Sequence, residues 1–193
     1  LTYDRYYDNY WGTTYSNEML WGHYAGTANW STGALMNKHM LCGVYTNHRT
    51  NNSGLCPSQN HVDMYETLQG DPLNTEADRA AATAAGNYNE QNPFVNRDPR
   101  FYLNIVYNGA PLPGYGTANI YYEIVDGQTV FSEILDPTYV GRTRTGYTIR
   151  KTWGLNSVKN PIVVRYTCSM IRLGELYLNY AEAANEAYGP NTA

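Results

Sequence analysis

The chain has 193 residues with 13 Lys and Arg against 17 Asp and Glu, a length that suggests one domain and a charge balance that is mildly acidic. That balance argues against nucleic-acid binding, which needs a basic patch to neutralise phosphates; the nearest approach, Arg142, Arg144, Arg150 and Lys151, reads as polar faces of short strands or turns. No apolar run approaches the ~20 residues of a membrane-spanning helix, and residues 1–20 lack the basic start, apolar stretch and small-residue cleavage site of a signal peptide.

From Leu1 to about Leu55 the sequence is dense in Tyr, Trp, Asn, Gly and Thr without sustained periodicity, which predicts loop with short extended pieces such as Glu18 to Trp21. Trp21 ends that piece and is expected in the core. Pro57-Ser58-Gln59-Asn60 opens a predicted helix running to about Leu68, with Val62, Tyr65 and Leu68 at helical spacing and Gly70-Asp71-Pro72 as its stop. A short Ala-rich helix is predicted over Glu76 to Ala85, closed by Gly86. Asp98 before Pro99 sets a helix cap and first position for one short turn, and Phe101 to Tyr107 alternates as a strand would. Arg100 is expected as a structural partner of carbonyls or a carboxylate.

The Gly- and Pro-rich stretch Asn108 to Gly116 predicts a surface loop. Ile120 to Val125 and Gly146 to Thr152 read as short strands with an irregular piece between them, and Ile162 to Arg165 as a further extended segment. Ser169 to Tyr188 is uninterrupted helix-former sequence stopped by Gly189-Pro190. Its apolar residues surround the helix: Ile171, Leu178 and Ala181 on one side, and Leu173, Leu176, Tyr177, Tyr180 and Ala184 over much of the rest. Such a helix is expected to pack on more than one face, with Tyr177, Tyr180 and Tyr188 as packing residues, against a mate outside this chain. Arg172 and Glu175, three apart, can pair on its surface.

The chemistry-bearing residues point away from catalysis. There are 20 Tyr, 4 Trp and 3 Phe but only 16% charged residues, and Asn is frequent at 21. Tyr and Trp join a flat apolar body to a hydrogen-bonding tip, and with Asn they suit a neutral hydroxyl-rich partner; a loop-rich fold with many Asx turns would have the same composition. Cys42, Cys56 and Cys168 have no CxxC spacing, so a zinc site is improbable; Cys42 and Cys56 pair in an oxidising compartment or remain small buried hydrophobes. The four histidines have no HExxH spacing, and no GxSxG, GxxxxGK[ST] or GxGxxG occurs. Asp63, Glu66, Asp71, Glu123 and Glu133 are carboxylates without a catalytic context. No cofactor and no metal is expected.

Four stretches, in this order, resemble the SusD/RagB family of Bacteroidetes outer-membrane nutrient-binding lipoproteins: Pro57 to Glu66 (PSQNHVDMYE), Asp98 to Phe101 (DPRF), Gly146 to Lys151 (GYTIRK), and Ile171 to Ala183 (IRLGELYLNYAEA). The last is the most specific. The resemblance spans roughly residues 17 to 190. It implies a mainly α fold, a SusD-like, tetratricopeptide-type α-α superhelix with an irregular loop-rich lobe and short β-strands. Family members are usually more than twice this length, so the chain is expected to be an internal or C-terminal-half piece: 1–56 an aromatic loop-rich ligand lobe, 57–168 an irregular region with short helices and strands, 169–189 a tetratricopeptide-type helix.

The resemblance further implies a binding protein and not an enzyme. It would capture a glycan on the extracellular face of the outer membrane and hand it to a SusC-like TonB-dependent transporter, the membrane being reached only through an N-terminal lipid anchor absent from this chain. An oligopeptide-binding subunit of the same family and a secreted carbohydrate-active hydrolase are the alternatives. In the family, the region before the Pro-Ser-Gln helix often supplies aromatics to the ligand platform. On that basis Trp30 and Tyr24 are the expected stacking residues with Asn29 as an edge partner, followed by Trp11, Tyr45 and Arg49.

Overall fold

The structure, a computed structural model, describes residues 17–25, 56–112, 116–132, 135–138, 142–150 and 166–190, with the backbone alone for 23–25 and 166–169. Among these residues helix and strand take comparable shares, and the strands form four two-stranded antiparallel sheets. The longest ladder joins β1 (Met19–Ala25) to β8 (Tyr166–Arg172), from Met19 opposite Arg172 to Ala25 opposite Tyr166, with register shifts on either side of Trp21. The predicted extended piece is thus the start of a longer strand. Trp21 is 63% exposed, so the expectation of a core tryptophan is overturned: among the described residues no second layer covers the bulged ladder at that position.

Helix α1 (Gln59–Asp63) starts where the sequence predicts, with the Ser58 hydroxyl accepting from the His61 N–H at 3.2 Å. It ends well before Leu68. The competing partner is the segment 96–98: Thr67 bridges Arg97, the Leu68 N–H donates to Asn96 O at 2.9 Å, and the Asp98 N–H donates to Glu66 O at 2.9 Å. Thr67 also closes a loop on Asp71, its hydroxyl donating to the carboxylate at 2.7 Å. Helix α2 (Glu76–Ala84) has a full capping box between Thr75 and Asp78 and is closed by Gly86 at φ +78.

Helix α3 (Pro99–Asn104) opens on Asp98, whose carboxylate accepts from the Arg100 N–H at 2.7 Å. The predicted strand over Phe101 to Tyr107 is therefore mostly helix, and only β2 (Ile105–Val106) is extended. The helix buries Phe101 and Leu103, and Ile105, at the start of β2, joins Phe101 in the core. Arg100 meets its expectation: its Nε lies 3.0 Å from both oxygens of Asp98. β2 pairs with β7 (Thr148–Ile149), Ile105 opposite Ile149 and Val106 opposite Thr148.

The predicted surface loop after Asn108 tucks back on itself. β3 (Pro111–Leu112) pairs with β4 (Gly116–Thr117), and Ala110, Leu112, Ala118 and Ile120 are all buried. The interval between the two predicted strands is irregular among its described residues except at its start, where β6 (Gln128–Phe131) pairs with β5 (Tyr122–Val125) in a hairpin. Its turn residues, Asp126 at φ +51 and Gly127 at φ +77, both adopt the left-handed backbone that a two-residue hairpin turn of the I′ kind requires. The extended segment predicted at 162–165 lies outside the described residues.

Helix α4 (Leu173–Tyr188) begins four residues later than predicted because 169–172 belong to β8. Its first N–H, Leu173, donates to Glu18 O at 2.8 Å, which ties the helix entry to the residue before β1. Gly189, at φ +85, ends it as predicted. Tyr177, Tyr180 and Tyr188 are exposed, Tyr180 at 72%, and Ala184 is the helix's buried residue; within the described residues these tyrosines are not packing residues. No described helix is long and apolar enough to cross a membrane.

The core sits between α1, α3 and β7. Val62, Phe101, Ile105 and Tyr147 form its centre, ringed by Tyr65, Phe94, Tyr102 and Tyr107. Phe101 is fully buried and meets Tyr102, Tyr107 and Tyr65 with ring centroids 5.3, 5.1 and 5.8 Å away. Part of the tyrosine excess is therefore core packing, with hydroxyls reaching the core's edge, as where Tyr102 donates to Phe94 O at 2.9 Å.

Candidate functional site

Beside this core, α1, α2, the loop 88–97 and the residue before β7 enclose a pocket of about 320 Å³. Its floor is Arg97, only 2% exposed. Nη2 donates to the carbonyls of Val62 at 2.7 Å and Tyr65 at 2.8 Å, Nη1 donates to Pro93 O at 2.9 Å, and the guanidinium lies 4.8 Å from the Phe101 ring centroid. The Val62 and Tyr65 carbonyls belong to the end of α1 and the turn after it, so the cation stands where the negative end of the helix dipole favours it. Burial lowers the Arg97 pKa from the ordinary guanidinium value, while neighbouring phenols and Asp63 act the other way; an arginine remains charged regardless.

Above the floor runs a chain of polar groups. The Tyr147 hydroxyl donates to Gln59 Oε1 at 2.9 Å, and Gln59 Nε2 donates to Asp63 Oδ1 at 2.8 Å. Gln59 and Asp63 share one side of α1 through their four-residue spacing. Arg79, from α2, places Nη1 3.9 Å from Asp63 Oδ2 and Nε 3.4 Å from Glu90 Oε1, and its Nη1 also donates to Leu73 O at 3.2 Å. One guanidinium thus stands between two carboxylates.

The apolar part of the wall is Val62, Pro93 and the rings of Phe94 and Tyr147, which meet edge to face at 89° with centroids 6.3 Å apart. Tyr88 completes the lining. Burial raises the phenol pKa of both Tyr88 and Tyr147, Arg97 opposing it at Tyr88 and the Gln59 hydrogen bond opposing it at Tyr147. Both hydroxyls are therefore protonated at neutral pH. Among the described residues no group of three or more His, Cys, Asp or Glu is placed to hold a metal ion.

Of the ligand residues expected from the sequence, Trp30, Asn29, Trp11, Tyr45 and Arg49 lie outside the described residues. Tyr24 is described by its backbone alone, in β1 opposite Thr167. The pocket instead joins residues that carried no site signal. Gln59 and Tyr147 fall inside motif stretches, and Asp63 is one of the carboxylates noted there; Arg79, Tyr88, Glu90 and Phe94 belong to no motif. Arg97 immediately precedes Asp98-Pro99, but its partners lie more than thirty residues upstream, at Val62 and Tyr65.

A family profile described as the SusD family matches residues 6–193. Among solved structures the chain is similar to a SusD-like protein from Bacteroides fragilis, with a TM-score of 0.58 and 21% identity over 98% of this chain and 36% of that one. The chain thus spans about a third of that relative's length. No curated protein matches it. With the profile covering nearly the whole chain and the same fold found in a SusD-like structure, the chain belongs to the SusD family.

Proposed function

We propose that the protein is a cell-surface glycan-binding component on the outer membrane, which captures a polysaccharide or oligosaccharide and passes it to a SusC-like TonB-dependent transporter. The observation that carries this reading is the SusD family match over residues 6–193. The excess of Tyr and Asn over charged residues supports a neutral hydroxyl-rich ligand. Trp30 and Tyr24 are the proposed stacking residues, with Asn29, Trp11, Tyr45 and Arg49 beside them, in a ligand lobe comprising residues 1–56.

A binding role also suits the carboxylates in the pocket. Asp63 and Glu90 both face the guanidinium of Arg79, which engages them as ion-pair partners in the wall of the pocket. The exposed apolar residues of α4 support the paired-helix architecture of the family: Leu176, Tyr177, Leu178 and Tyr180 surround the helix without cover from the described residues, as they would where further helices of a tetratricopeptide-type superhelix pack.

The test is binding of the full protein to a polysaccharide panel by affinity electrophoresis and calorimetry. Replacing Trp30 and Tyr24 together by Ala is expected to weaken capture about tenfold or more, since each stacked ring contributes on the order of 1 kcal/mol. Tight binding of oligopeptides with no glycan bound would establish the peptide-binding alternative instead.

A further inference from the structure

We infer that the pocket between α1 and α2 is a second, end-on subsite that takes one neutral sugar ring: a chain terminus or a free monosaccharide. The inference rests on the glycan reading above but is carried by other residues, since the described lining comes from α1, α2, the loop 88–97 and Tyr147.

Size is the first argument. About 320 Å³ lies at the lower end of small-molecule pockets, which start at roughly 300 Å³. A single ring with its hydroxyls fits, whereas a run of linked rings needs a groove open at both ends. Arg97 is part of the lining, 2% exposed and bonded to three carbonyls, so its guanidinium is a fixed wall against which one ring can seat.

Charge is the second. Two cations, Arg79 and Arg97, face two anions, Asp63 and Glu90. The described lining is formally balanced, two positive charges against two negative, which suits a neutral ligand. Arg97 is engaged by backbone carbonyls, and Arg79 stands between the two carboxylates at 3.9 and 3.4 Å.

The remaining bonding capacity supplies the third argument. Nη2 of Arg79, Oδ2 of Asp63, Oε2 of Glu90 and the Tyr88 hydroxyl make no hydrogen bond among the described residues. A guanidinium beside a carboxylate offers donors next to acceptors, and adjacent sugar hydroxyls, each able to donate and accept, match that alternation. The Phe94 and Tyr147 rings, at right angles, and Pro93 give the apolar wall for the C–H face of the ring.

The experiment is titration of the full protein with D-glucose, D-galactose, D-mannose and D-glucuronate, read by calorimetry and by ligand-observed NMR, in the wild type and in Glu90→Gln and Asp63→Asn. Glu90 is exposed enough, at 61% of its side chain, for its substitution to leave the fold intact, and thermal melting checks the Asp63 variant. At least one neutral sugar is expected to bind more tightly than glucuronate, and each variant to weaken it fivefold or more. Absence of binding by every neutral sugar, tighter binding of glucuronate, or affinities unmoved in both variants would overturn the assignment. Polysaccharide binding measured on the same samples separates the two proposals: retained polymer binding without a monosaccharide site removes only the pocket, and monosaccharide binding without polymer capture removes only the platform.

Discussion

Arg97→Met removes a guanidinium while keeping most of the stem that crosses the core, and its cost follows from the bonds described. Three carbonyls lose their donor: Val62, Tyr65 and Pro93. Pro93 lines the pocket and can be rewetted from it. The Val62 and Tyr65 carbonyls face the buried guanidinium, and a buried acceptor left without a partner costs about 1–3 kcal/mol. Loss of the contact with the Phe101 ring adds about 1 kcal/mol, and relief of the guanidinium's desolvation offsets part of the total. The net is a destabilisation of about 3 kcal/mol, or a fall in Tm of about 6 to 12 °C for a chain of this size. Urea unfolding followed by near-UV circular dichroism measures it as a shifted midpoint at constant slope. Arg97→Lys is expected to recover less than half, because an ammonium is a point charge and cannot span three carbonyls as a planar fork does. A loss below about 1 kcal/mol for Met, or full recovery with Lys, would refute the view that the fork's geometry holds these segments together.

Two further outcomes concern local features. The Arg100 hydrogen bonds hold the Asp98 carboxyl below its ordinary value of 3.8; with the folded pKa depressed, the associated stability is full above that value and drains as pH falls through the folded one. Asn caps a helix nearly as well as Asp, so Asp98→Asn is expected to cost under about 1 kcal/mol at neutral pH, with the gap to wild type closing on acidification; a gap that is constant with pH would contradict it. Gly127→Ala forces a side chain onto φ +77 where no atom lies within 4 Å of the new Cβ, so the cost is backbone strain alone, about 1–2 kcal/mol. Every residue of β5 and β6 is exposed, so hydrogen exchange in the hairpin is expected to accelerate while the global midpoint moves by less than about 0.5 kcal/mol; a matching global loss would show the ribbon to be part of the core.

What could be read from the sequence were the signals carried by adjacent residues. Asp98-Pro99 and Gly189-Pro190 placed a helix start and a helix stop because a cap and a left-handed terminal residue act within one turn. The hairpin turn at Asp126-Gly127 and the strand β6 are not among the expectations, because both faces of the hairpin are wet and the alternation of its apolar residues carries no burial. The shortening of α1 and the pocket floor were beyond local reading. Both depend on residues 96–98 arriving from across the fold to compete for the carbonyls and amides of residues 62–68. Trp21 differs for a related reason: a large aromatic on a strand is expected inside when a second layer covers it, and among the described residues the two-stranded ladder has none at that position.

The β1–β8 ladder also sets an order of events in time. Its two strands are separated by about 150 residues of chain, which at ribosomal rates of roughly 5–20 residues per second takes about 8 to 30 s to synthesise. Throughout that interval β1 exposes the backbone edge that β8 will cover, an edge open to pairing with any other extended chain nearby. Helix α4 follows β8 without a break, and its first N–H donates to Glu18 O, so segments about 150 residues apart in sequence dock together. A nascent chain stopped short of Arg172 has neither ladder nor helix anchor, and quality control that recognises bare strand edges would distinguish it from the finished fold.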